Sequence, residues 1–364
     1  MHVVLAGGGT AGHIEPALAL ADALRRQDPT VGITALGTEK GLETRLVPER
    51  GYELGLIPAV PLPRKPTPEL ITVPGRLRGT IKAAEQILER TKADCVVGFG
   101  GYVALPGYLA AKRLGVPIIV HEANARPGLA NKIGSRYAAS VAVSTPDSKL
   151  RGARYVGIPL RRSIATLDRG AARPEARAYF GLDPNLPTLL VSGGSQGARR
   201  LNEVVQAVAP ALQRSGIQIL HAVGPKNELP YVDNMPGMPP YIPVAYVDRM
   251  DLAYAAADMM LCRAGAMTVA ELSAVGLPAV YVPLPIGNGE QRLNAQPVVK
   301  AGGGLLIDDA ELTPEWVQGN VLPVLADPHR LYEMSRHAAE FGRRDADELL
   351  VAMVYEAIAA RRAG

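Results

Sequence analysis

Residues 2–13 read HVVLAGGGTAGH, and this stretch decides the fold. A short apolar run leads into a glycine-rich turn, and Pro16–Arg25 is then rich in Ala and Leu. That composition predicts a helix with its proline in the first turn. The same unit returns at 188–198, TLLVSGGSQGA, before a second helix-like run. Two copies of a strand, a glycine loop and a helix predict two α/β domains.

The ends of the predicted helices are repeated as well. Gly115-Val116-Pro117 and Gly276-Leu277-Pro278 each separate a helix-like run from an apolar strand, because glycine ends a helix and proline cannot continue it. The strands, such as Ala279–Val282, are continuously apolar, which predicts parallel sheets covered on both faces. The expected fold class is therefore α/β, with two doubly wound Rossmann-like domains facing a cleft. We place them at 1–162 and 163–342.

The composition is that of an ordinary globular protein. The chain has 364 residues, of which 48% are hydrophobic and 20% charged, and this excludes a disordered chain or a disulfide-stapled miniprotein. Cys95 and Cys262 lie in apolar runs and are expected to be buried, reduced thiols. The first apolar run is too short for a signal peptide and lacks a basic segment before it. A soluble, cytoplasmic protein is the expectation.

The charge is divided unevenly along the chain. The net charge is +4, but residues 1–162 carry 22 basic and 13 acidic side chains, and the remainder carries 17 and 22. A basic first half suits a nucleic acid, an anionic membrane surface or an anionic substrate, although uneven surface decoration would look the same.

Part of this basic excess is local. Five cations fall within the segment Arg64–Lys82, interleaved with apolar residues at helical spacing. Such an element can lie on anionic lipid, or it can be an amphipathic helix whose apolar face is buried and whose basic side faces solvent. The segment lacks interleaved aromatic residues, which disfavours single-stranded nucleic acid as a partner.

Three glycine-rich turns follow predicted strands, at Gly7–His13, Gly98–Tyr102 and Gly193–Ala198. Backbone N–H groups in such turns bind anions, so three of them predict substrates that carry several phosphates. The first turn fits G-x-G-x-x-G, but the acidic residue expected about 20 positions later is missing, which argues against a dehydrogenase. The sequence lacks the P-loop pattern as well, and no cofactor is predicted.

His13 is the candidate catalytic residue of the first turn. It stands where the first helix is expected to begin, and a helix N-terminus lowers the pKa of a histidine and keeps it neutral, able to accept a proton. A structural role is the alternative. The histidines are scattered without metal-ligand spacing, and Asp308-Asp309 is expected to lie at the surface, so no metal site is predicted.

The second half has one dense segment, CRAGAMTVAE at 262–271. Thr268 could bond a phosphate or the backbone. Glu271 could accept both hydroxyls of a ribose, unless it is an ordinary surface residue of a helix. Gln291 and Asn294 follow, and amides suit the hydroxyls of a sugar because they both donate and accept hydrogen bonds.

Taken in order, these motifs resemble those of the MurG family of bacterial peptidoglycan glycosyltransferases. The resemblance spans Gly7 to Gly304 and rests on GGTAGH (8–13), GGY (100–102), HEAN (121–124), GIPLR (157–161), GGSQGA (193–198) and RAGAMT (263–268), with Glu271, Gln291 and Asn294. It implies a GT-B fold with a terminal helix, about 343–364, that can pack back onto the first domain. It also implies an inverting, metal-independent transfer of N-acetylglucosamine.

The donor would be UDP-GlcNAc, and the acceptor would be the 4-hydroxyl of the MurNAc of undecaprenyl-diphospho-muramoylpentapeptide, in peptidoglycan synthesis at the cytoplasmic face of the cell membrane. His13 would be the base or would orient the acceptor hydroxyl. Gly100, Gly101 and Tyr102 would hold the acceptor diphosphate, and Arg64–Lys82 would contact the anionic membrane surface. UDP-GlcNAc would be contacted by Thr10, Ala11, Gly12, Asn124, Arg161, Ser195, Val247, Arg263, Ala266, Met267, Thr268, Val269, Ala270, Glu271, Gln291 and Asn294.

Two positions depart from the family pattern. Ala11 stands where a third glycine is common, which costs little if its φ is negative. Glu290 stands where an amide is frequent, so it is assigned no contact with the sugar. Two other functions stay open at this point. One is a UDP-sugar epimerase of the same fold, which needs no acceptor, and the other is a non-catalytic scaffold at the membrane.

Overall fold

A computed structural model describes residues 1–60, 73–230, 237–286 and 288–363, with the side chains of 73 and 74 excepted. The chain divides into two compact units. Unit 1 comprises Met1–Arg161 and Arg344–Gly364, and unit 2 comprises Arg162–Arg343. The division falls one residue before the predicted boundary.

Unit 1 contains a parallel sheet of seven strands among its described residues, in the order β3-β2-β1-β4-β5-β6-β7. The strands are β1 (His2–Gly7), β2 (Gly32–Gly37), β3 (Glu53–Leu56), β4 (Cys95–Gly100), β5 (Ile118–Glu122), β6 (Ser140–Val143) and β7 (Ala153–Tyr155). The helices are α1 (Ala11–Gln27), α2 (Glu43–Glu49), α3 (Val73–Thr91), α4 (Ala104–Arg113), α5 (Leu129–Gly134) and the terminal α15 (Ala346–Ala363). The strand order reverses between β1 and β4, which is where ligands bind in open α/β sheets.

Both faces of this sheet are covered, as its continuously apolar strands predict. One core packs α1 and α15 against the sheet, and the other packs α3 and α4 on the opposite face. Helix α15 is held by buried Leu350 and Val354 and by an ion pair of 2.5 Å between Asp347 and Arg26 of α1. The last helix of the chain is thus an integral part of unit 1.

Unit 2 repeats the plan with six parallel strands among its described residues, in the order β10-β9-β8-β11-β12-β13. The strands are β8 (Thr188–Ser192), β9 (Gln218–Ala222), β10 (Tyr241–Val244), β11 (Met259–Cys262), β12 (Ala279–Tyr281) and β13 (Gly304–Leu306). The helices are α6 (Arg162–Ala165), α7 (Arg169–Phe180), α8 (Arg199–Arg214), α9 (Met250–Ala256), α10 (Ala266–Val275), α11 (Glu290–Lys300), α12 (Pro314–Asn320), α13 (Leu322–Leu325) and α14 (Pro328–Glu340). Here the order reverses between β8 and β11.

Several local predictions are confirmed and one is wrong. Gly115 and Gly276 end their helices with φ of +64° and +62°, and both cysteines are buried. Helix α1 begins at Ala11 rather than Pro16, because Thr10 is already the extended residue before the helix, so the proline lies inside the helix. In the described ranges, no helix is both long and apolar enough to cross a bilayer.

Candidate active site

Two glycine loops meet above the reversal point of unit 1. They follow the neighbouring strands β1 and β4, and their backbones touch, since a Cβ added to Gly101 would lie 2.2 Å from the Gly8 carbonyl oxygen. Gly101 also has a φ of +81°, which L side chains rarely adopt. Glycine at this position is therefore required both by the close approach of the loops and by the backbone conformation.

His13 lies between these loops, as the third residue of α1. Its Nδ1 is 3.1 Å from the hydroxyl of Thr10. On the other side, a Cβ added to Gly100 would lie 3.2 Å from Nε2 of the same ring. The imidazole is thus oriented by one hydroxyl and confined by one glycine, and it is partly exposed. If Nδ1 donates its proton to Thr10, Nε2 is the nitrogen that can accept another.

The environment lowers the pKa of His13 below its ordinary value. Burial of the ring is the main cause, while the Glu122 carboxylate and the Gly8 backbone oppose it in part. The predicted direction is confirmed, but burial rather than the helix N-terminus is the principal cause. The imidazole is therefore neutral at neutral pH, the form that can act as a base.

The N-terminus of α1 presents two unused amides. Thr10 precedes the helix but does not cap it with its side chain, and the N–H groups of Ala11 and Gly12 make no hydrogen bond to the described part of the chain. Ala11 has a negative φ, so the alanine in place of glycine causes no strain. Free amides at the positive end of a helix suit an anion such as a diphosphate.

Sequence reasoning missed a buried carboxylate beneath this loop cluster. Glu122 is 3% exposed and accepts hydrogen bonds of 2.9 Å from the backbone N–H groups of Asn124 and Gly128. It also accepts one of 2.9 Å from the side chain of Asn131, which in turn accepts one from the hydroxyl of Tyr108. This network fixes the loop that carries Asn124. The HEAN motif was the signal that could have revealed it.

Two further predicted residues of unit 1 are Tyr102 and Arg161. Tyr102 is 52% exposed and its ring contacts Gly9, since a Cβ there would lie 3.5 Å from it. Arg161 ends the first of the two segments that form unit 1 and is partly exposed. The segment before it is anchored by a 2.8 Å hydrogen bond between Nε2 of His121 and the Gly157 carbonyl.

In unit 2, the loops that carry the predicted residues all follow the carboxyl ends of parallel strands. The loop after β8 holds Ser195, which is exposed between Gly194 and Gly197, whose φ values are +87° and +75°. A Cβ on Gly193 would lie 2.2 Å from the Ala198 nitrogen, so the loop folds tightly onto the start of α8. This geometry exposes backbone amides to an anion.

Helix α10 begins at Ala266, directly after β11 and Gly265. Its first five residues, Ala266, Met267, Thr268, Val269 and Ala270, are partly exposed, whereas Glu271 is only 7% exposed. The Glu271 carboxylate accepts a 2.7 Å hydrogen bond from the hydroxyl of Tyr254 on α9. The alternative of an ordinary surface glutamate is therefore wrong, because this carboxylate is buried and oriented.

Arg263 is engaged by the protein itself. Its guanidinium forms a 2.5 Å ion pair with Asp309 and donates to the carbonyls of Val282 and Pro283, at 3.3 and 3.4 Å. The expectation that Asp309 is a surface residue is wrong, because its side chain is 19% exposed and lies against this arginine. Asp308 is exposed, as predicted, and pairs with Arg292. Arg263 thus ties the loop after β11 to the loop after β12.

The two predicted sugar-binding amides also support this region. The side-chain oxygen of Gln291 accepts a 2.9 Å hydrogen bond from the backbone of Leu284, and Asn294 donates to the Ala264 carbonyl at 3.4 Å. Both residues are partly exposed. Val247 has a buried side chain beside Tyr246, which is 54% exposed.

The described residues contain no group of three His, Cys, Asp or Glu side chains that could hold a metal ion. The groups that can meet a diphosphate here are backbone amides at helix N-termini and a few arginines.

Comparisons with known proteins agree with this architecture. Residues 3–143 match the glycosyltransferase family 28 N-terminal domain, and residues 188–350 match the glycosyltransferase family 28 C-terminal domain. The chain is 93% identical over 361 residues to a UDP-N-acetylglucosamine–N-acetylmuramyl-(pentapeptide) pyrophosphoryl-undecaprenol N-acetylglucosamine transferase of Streptomyces avermitilis, with 99% of both chains covered. It is 63% identical over 366 residues to the transferase of the same name from Acidothermus cellulolyticus, covering 100% of this chain and 99% of the relative.

A crystal structure of MurG from Acinetobacter baumannii superposes with a TM-score of 0.78 at 30% identity, covering 98% of this chain and 99% of that one. The calicheamicin glycosyltransferase CalG4, at 21% identity and a TM-score of 0.65, shares the fold, with 96% of this chain and 97% of that chain covered. The predicted GT-B class, with two Rossmann-like α/β domains, is confirmed, and the epimerase alternative finds no support. The chain belongs to glycosyltransferase family 28.

Proposed function

We infer that this protein transfers N-acetylglucosamine from UDP-GlcNAc to undecaprenyl-diphospho-muramoylpentapeptide, a step of peptidoglycan synthesis. The observation that carries the inference is identity of 58–93% along nearly the whole chain to relatives named for this transfer. The loops described above supply groups of the kind that the reaction needs.

The donor is assigned to unit 2. The amides around Ser195 meet the diphosphate, the main chain of Val247 reads uracil, and the buried Glu271 accepts hydrogen bonds from the ribose hydroxyls. Helix α10 covers the nucleotide through Ala266–Ala270. Gln291 and Asn294 contact the hydroxyls of the sugar, since amides both donate and accept hydrogen bonds.

Arg263 is not assigned as a direct ligand of the diphosphate. Since Asp309 already neutralises its charge, we propose that it holds the nucleotide-binding loop in place.

The chemistry is a single displacement. The acceptor 4-hydroxyl attacks the anomeric carbon, the bond from that carbon to the UDP oxygen breaks, and the hydroxyl proton passes to Nε2 of His13. The neutral state of His13 suits this role, and Thr10 orients the ring. Helix N-termini and loop amides stabilise the charge that develops on the departing UDP.

The acceptor diphosphate is assigned to the paired glycine loops of unit 1. Gly100, Gly101 and Tyr102 form one side, and the open amides of Ala11 and Gly12 form the other. Because Gly8 and Gly101 are in contact, the two sides form one continuous backbone surface. Such a surface binds phosphate oxygens through N–H groups without a metal.

Membrane contact is assigned to the face of unit 1 that carries α3. Ile81, Ala84 and Leu88 point into the core, while Arg76, Arg78 and Lys82 are exposed. The predicted residues Arg64 and Lys65 lie outside the described residues. On α4, which packs against α3, Lys112 stacks over the Tyr137 ring at 3.7 Å. This basic face suits anionic headgroups, and we propose that it binds the cytoplasmic side of the membrane peripherally.

The membrane assignment predicts salt-dependent binding. The variant with Arg76, Arg78 and Lys82 all changed to Gln should sediment less with phosphatidylglycerol vesicles, and the difference from wild type should shrink as salt rises. The matched control changes Arg199, Arg249 and Arg336 of unit 2, which are exposed on other helices or loops. If both variants sediment with the vesicles to the same extent as the wild-type protein does, the assignment is contradicted.

The proposed transfer is tested by measuring UDP release with a soluble analogue of undecaprenyl-diphospho-muramoylpentapeptide, which is called lipid I. Release that depends on both UDP-GlcNAc and the analogue is expected. Absence of acceptor-dependent release would overturn the proposal, and turnover of UDP-GlcNAc without acceptor would favour an epimerase.

A further inference from the structure

One fully buried carboxylate of unit 1 is not used by the site described above. Glu43, the first residue of α2, has a relative exposure of 0%. Its Oε2 accepts a 3.1 Å hydrogen bond from the backbone N–H of Gly9. Its Oε1 accepts hydrogen bonds from the backbone N–H and the hydroxyl of Thr38, at 2.8 and 3.1 Å. One side chain thus joins the loop after β1 to the end of β2.

Three glycines make room for this side chain. A Cβ on Gly41 would lie 2.1 Å from the carboxylate, one on Gly37 would lie 2.4 Å from Cγ, and one on Gly8 would lie 3.2 Å from Oε1. None of these three has a positive φ, so their backbone conformations do not require glycine. The space they leave is occupied by the Glu43 side chain, which places the carboxylate under the glycine loop.

The bond to Gly9 fixes the one glycine of this loop that has a positive φ. Gly9 has a φ of +85° and lies against the Tyr102 ring, and its neighbour Gly8 touches Gly101. A shift of Gly9 therefore displaces both loops assigned to the acceptor diphosphate. The bond also occupies the Gly9 amide, which leaves the amides of Ala11 and Gly12 as the donors that α1 offers to an anion.

We propose that Glu43 is a positioning residue for the acceptor. It fixes the position of the diphosphate-binding loops and determines which of their backbone N–H groups are left to face the anion, without touching substrate itself. This inference rests on the proposed function. The carboxylate accepts three hydrogen bonds, two from backbone N–H groups and one from the Thr38 hydroxyl. An amide in its place would turn an NH2 group toward one of those N–H groups, so Glu43→Gln keeps the shape and breaks one bond.

The test compares Glu43→Gln with Asp347→Asn. Asp347 is also a buried carboxylate of unit 1, but it pairs with Arg26 in the last turn of α1, at the far end of that helix from the loops. For each variant we would measure kcat and KM for the lipid I analogue, the Kd for UDP and the urea unfolding midpoint. Glu43→Gln should lower kcat/KM for the acceptor about tenfold or more, since hydrogen bonds to buried charges are strong.

The Kd for UDP should stay within about twofold of wild type, because the nucleotide is assigned to unit 2. Asp347→Asn should shift the unfolding midpoint and leave the acceptor constants alone. Two results would overturn the inference: an unchanged acceptor kcat/KM in Glu43→Gln, or an equal loss in Asp347→Asn at a similar drop in stability.

Amide hydrogen exchange gives a readout that needs no substrate. In Glu43→Gln, exchange should accelerate in a peptide covering residues 7–14 and stay unchanged in one covering 193–198 of unit 2. Unchanged exchange at 7–14 would refute the positioning role even if the enzyme is active. If the wild-type protein has no transfer activity but exchange at 7–14 still differs between wild type and Glu43→Gln, only the proposed function is refuted.

Discussion

The hydroxyl of Tyr254 donates a 2.7 Å hydrogen bond to the carboxylate of Glu271. Both side chains are buried, and they come from different helices of unit 2, α9 and α10. The guanidinium of Arg169 donates hydrogen bonds to the backbone carbonyl of Tyr254 at 3.1 Å and to that of Gly276 at 2.6 Å. These bonds hold the backbone of the tyrosine in place. The residue assigned to the ribose is thus oriented by a contact that connects two helices.

Removing that hydroxyl should weaken nucleotide binding. Tyr254→Phe takes one strong hydrogen bond from the Glu271 carboxylate, so we expect the KM for UDP-GlcNAc to rise roughly tenfold with kcat little changed. Steady-state kinetics at saturating acceptor measure both constants. Tyr241→Phe is the matched control, because its hydroxyl is also buried in unit 2 but is paired with His221 at 2.9 Å. Equal donor KM values in the two variants would contradict the assigned role of Tyr254.

The pH dependence of transfer should report on His13. A base must be neutral, and burial holds the pKa of His13 below 6.5, so activity should fall only on the acid side of that value. The Glu122 carboxylate raises this pKa in part. Glu122→Gln should therefore move the acid limb of kcat/KM to lower pH, whatever it does to the maximal rate. A limb that moves to higher pH, or one that shifts equally in Asp347→Asn, would contradict this role for His13.

The ion pair between Arg263 and Asp309 should stabilise unit 2. Both side chains are largely buried, so breaking the pair leaves one charge without its partner. Arg263→Met and Asp309→Asn should each lower the free energy of unfolding, and the double variant should cost less than their sum. We expect a coupling energy on the order of 1–3 kcal/mol from urea denaturation. Additive costs would mean that the contact contributes nothing.

Stability should decline in mild acid because of two buried histidines. Burial lowers the pKa of both His121 and His221 to about 4, whereas the unfolded chain titrates them near 6.5. Between these values the unfolded state binds more protons, so the free energy of unfolding falls as the pH falls from 6.5 toward 4.

Urea unfolding at pH 7, 5.5 and 4.5 would measure this decline. His221→Gln should flatten it, while His329→Gln, an exposed residue on α14, should leave it unchanged. An equal slope in wild type and His221→Gln would show that other groups cause the loss.

The glycine loops and the two α/β units were predictable because turn chemistry and strand composition are local. The start of α1 was misplaced because Pro16 looked like a first-turn residue, whereas the extended backbone of Thr10 sets the beginning of the helix. Glu122 could have been found from the HEAN motif, but Glu43 and Asp309 could not be predicted as supports of the site. Neither of these two lies in a recognisable motif, and the partners of each are brought to it by the sheet topology.

The most direct test of the account is the structure of the product. The enzyme would be incubated with UDP-GlcNAc and a lipid I analogue, and the purified disaccharide examined by mass spectrometry and by the proton NMR coupling at the new anomeric carbon. A β-linked N-acetylglucosamine on the 4-hydroxyl of the MurNAc is predicted, since one displacement inverts the α-linked donor. An α linkage, another position on the acceptor, or no disaccharide at all would contradict the proposed reaction.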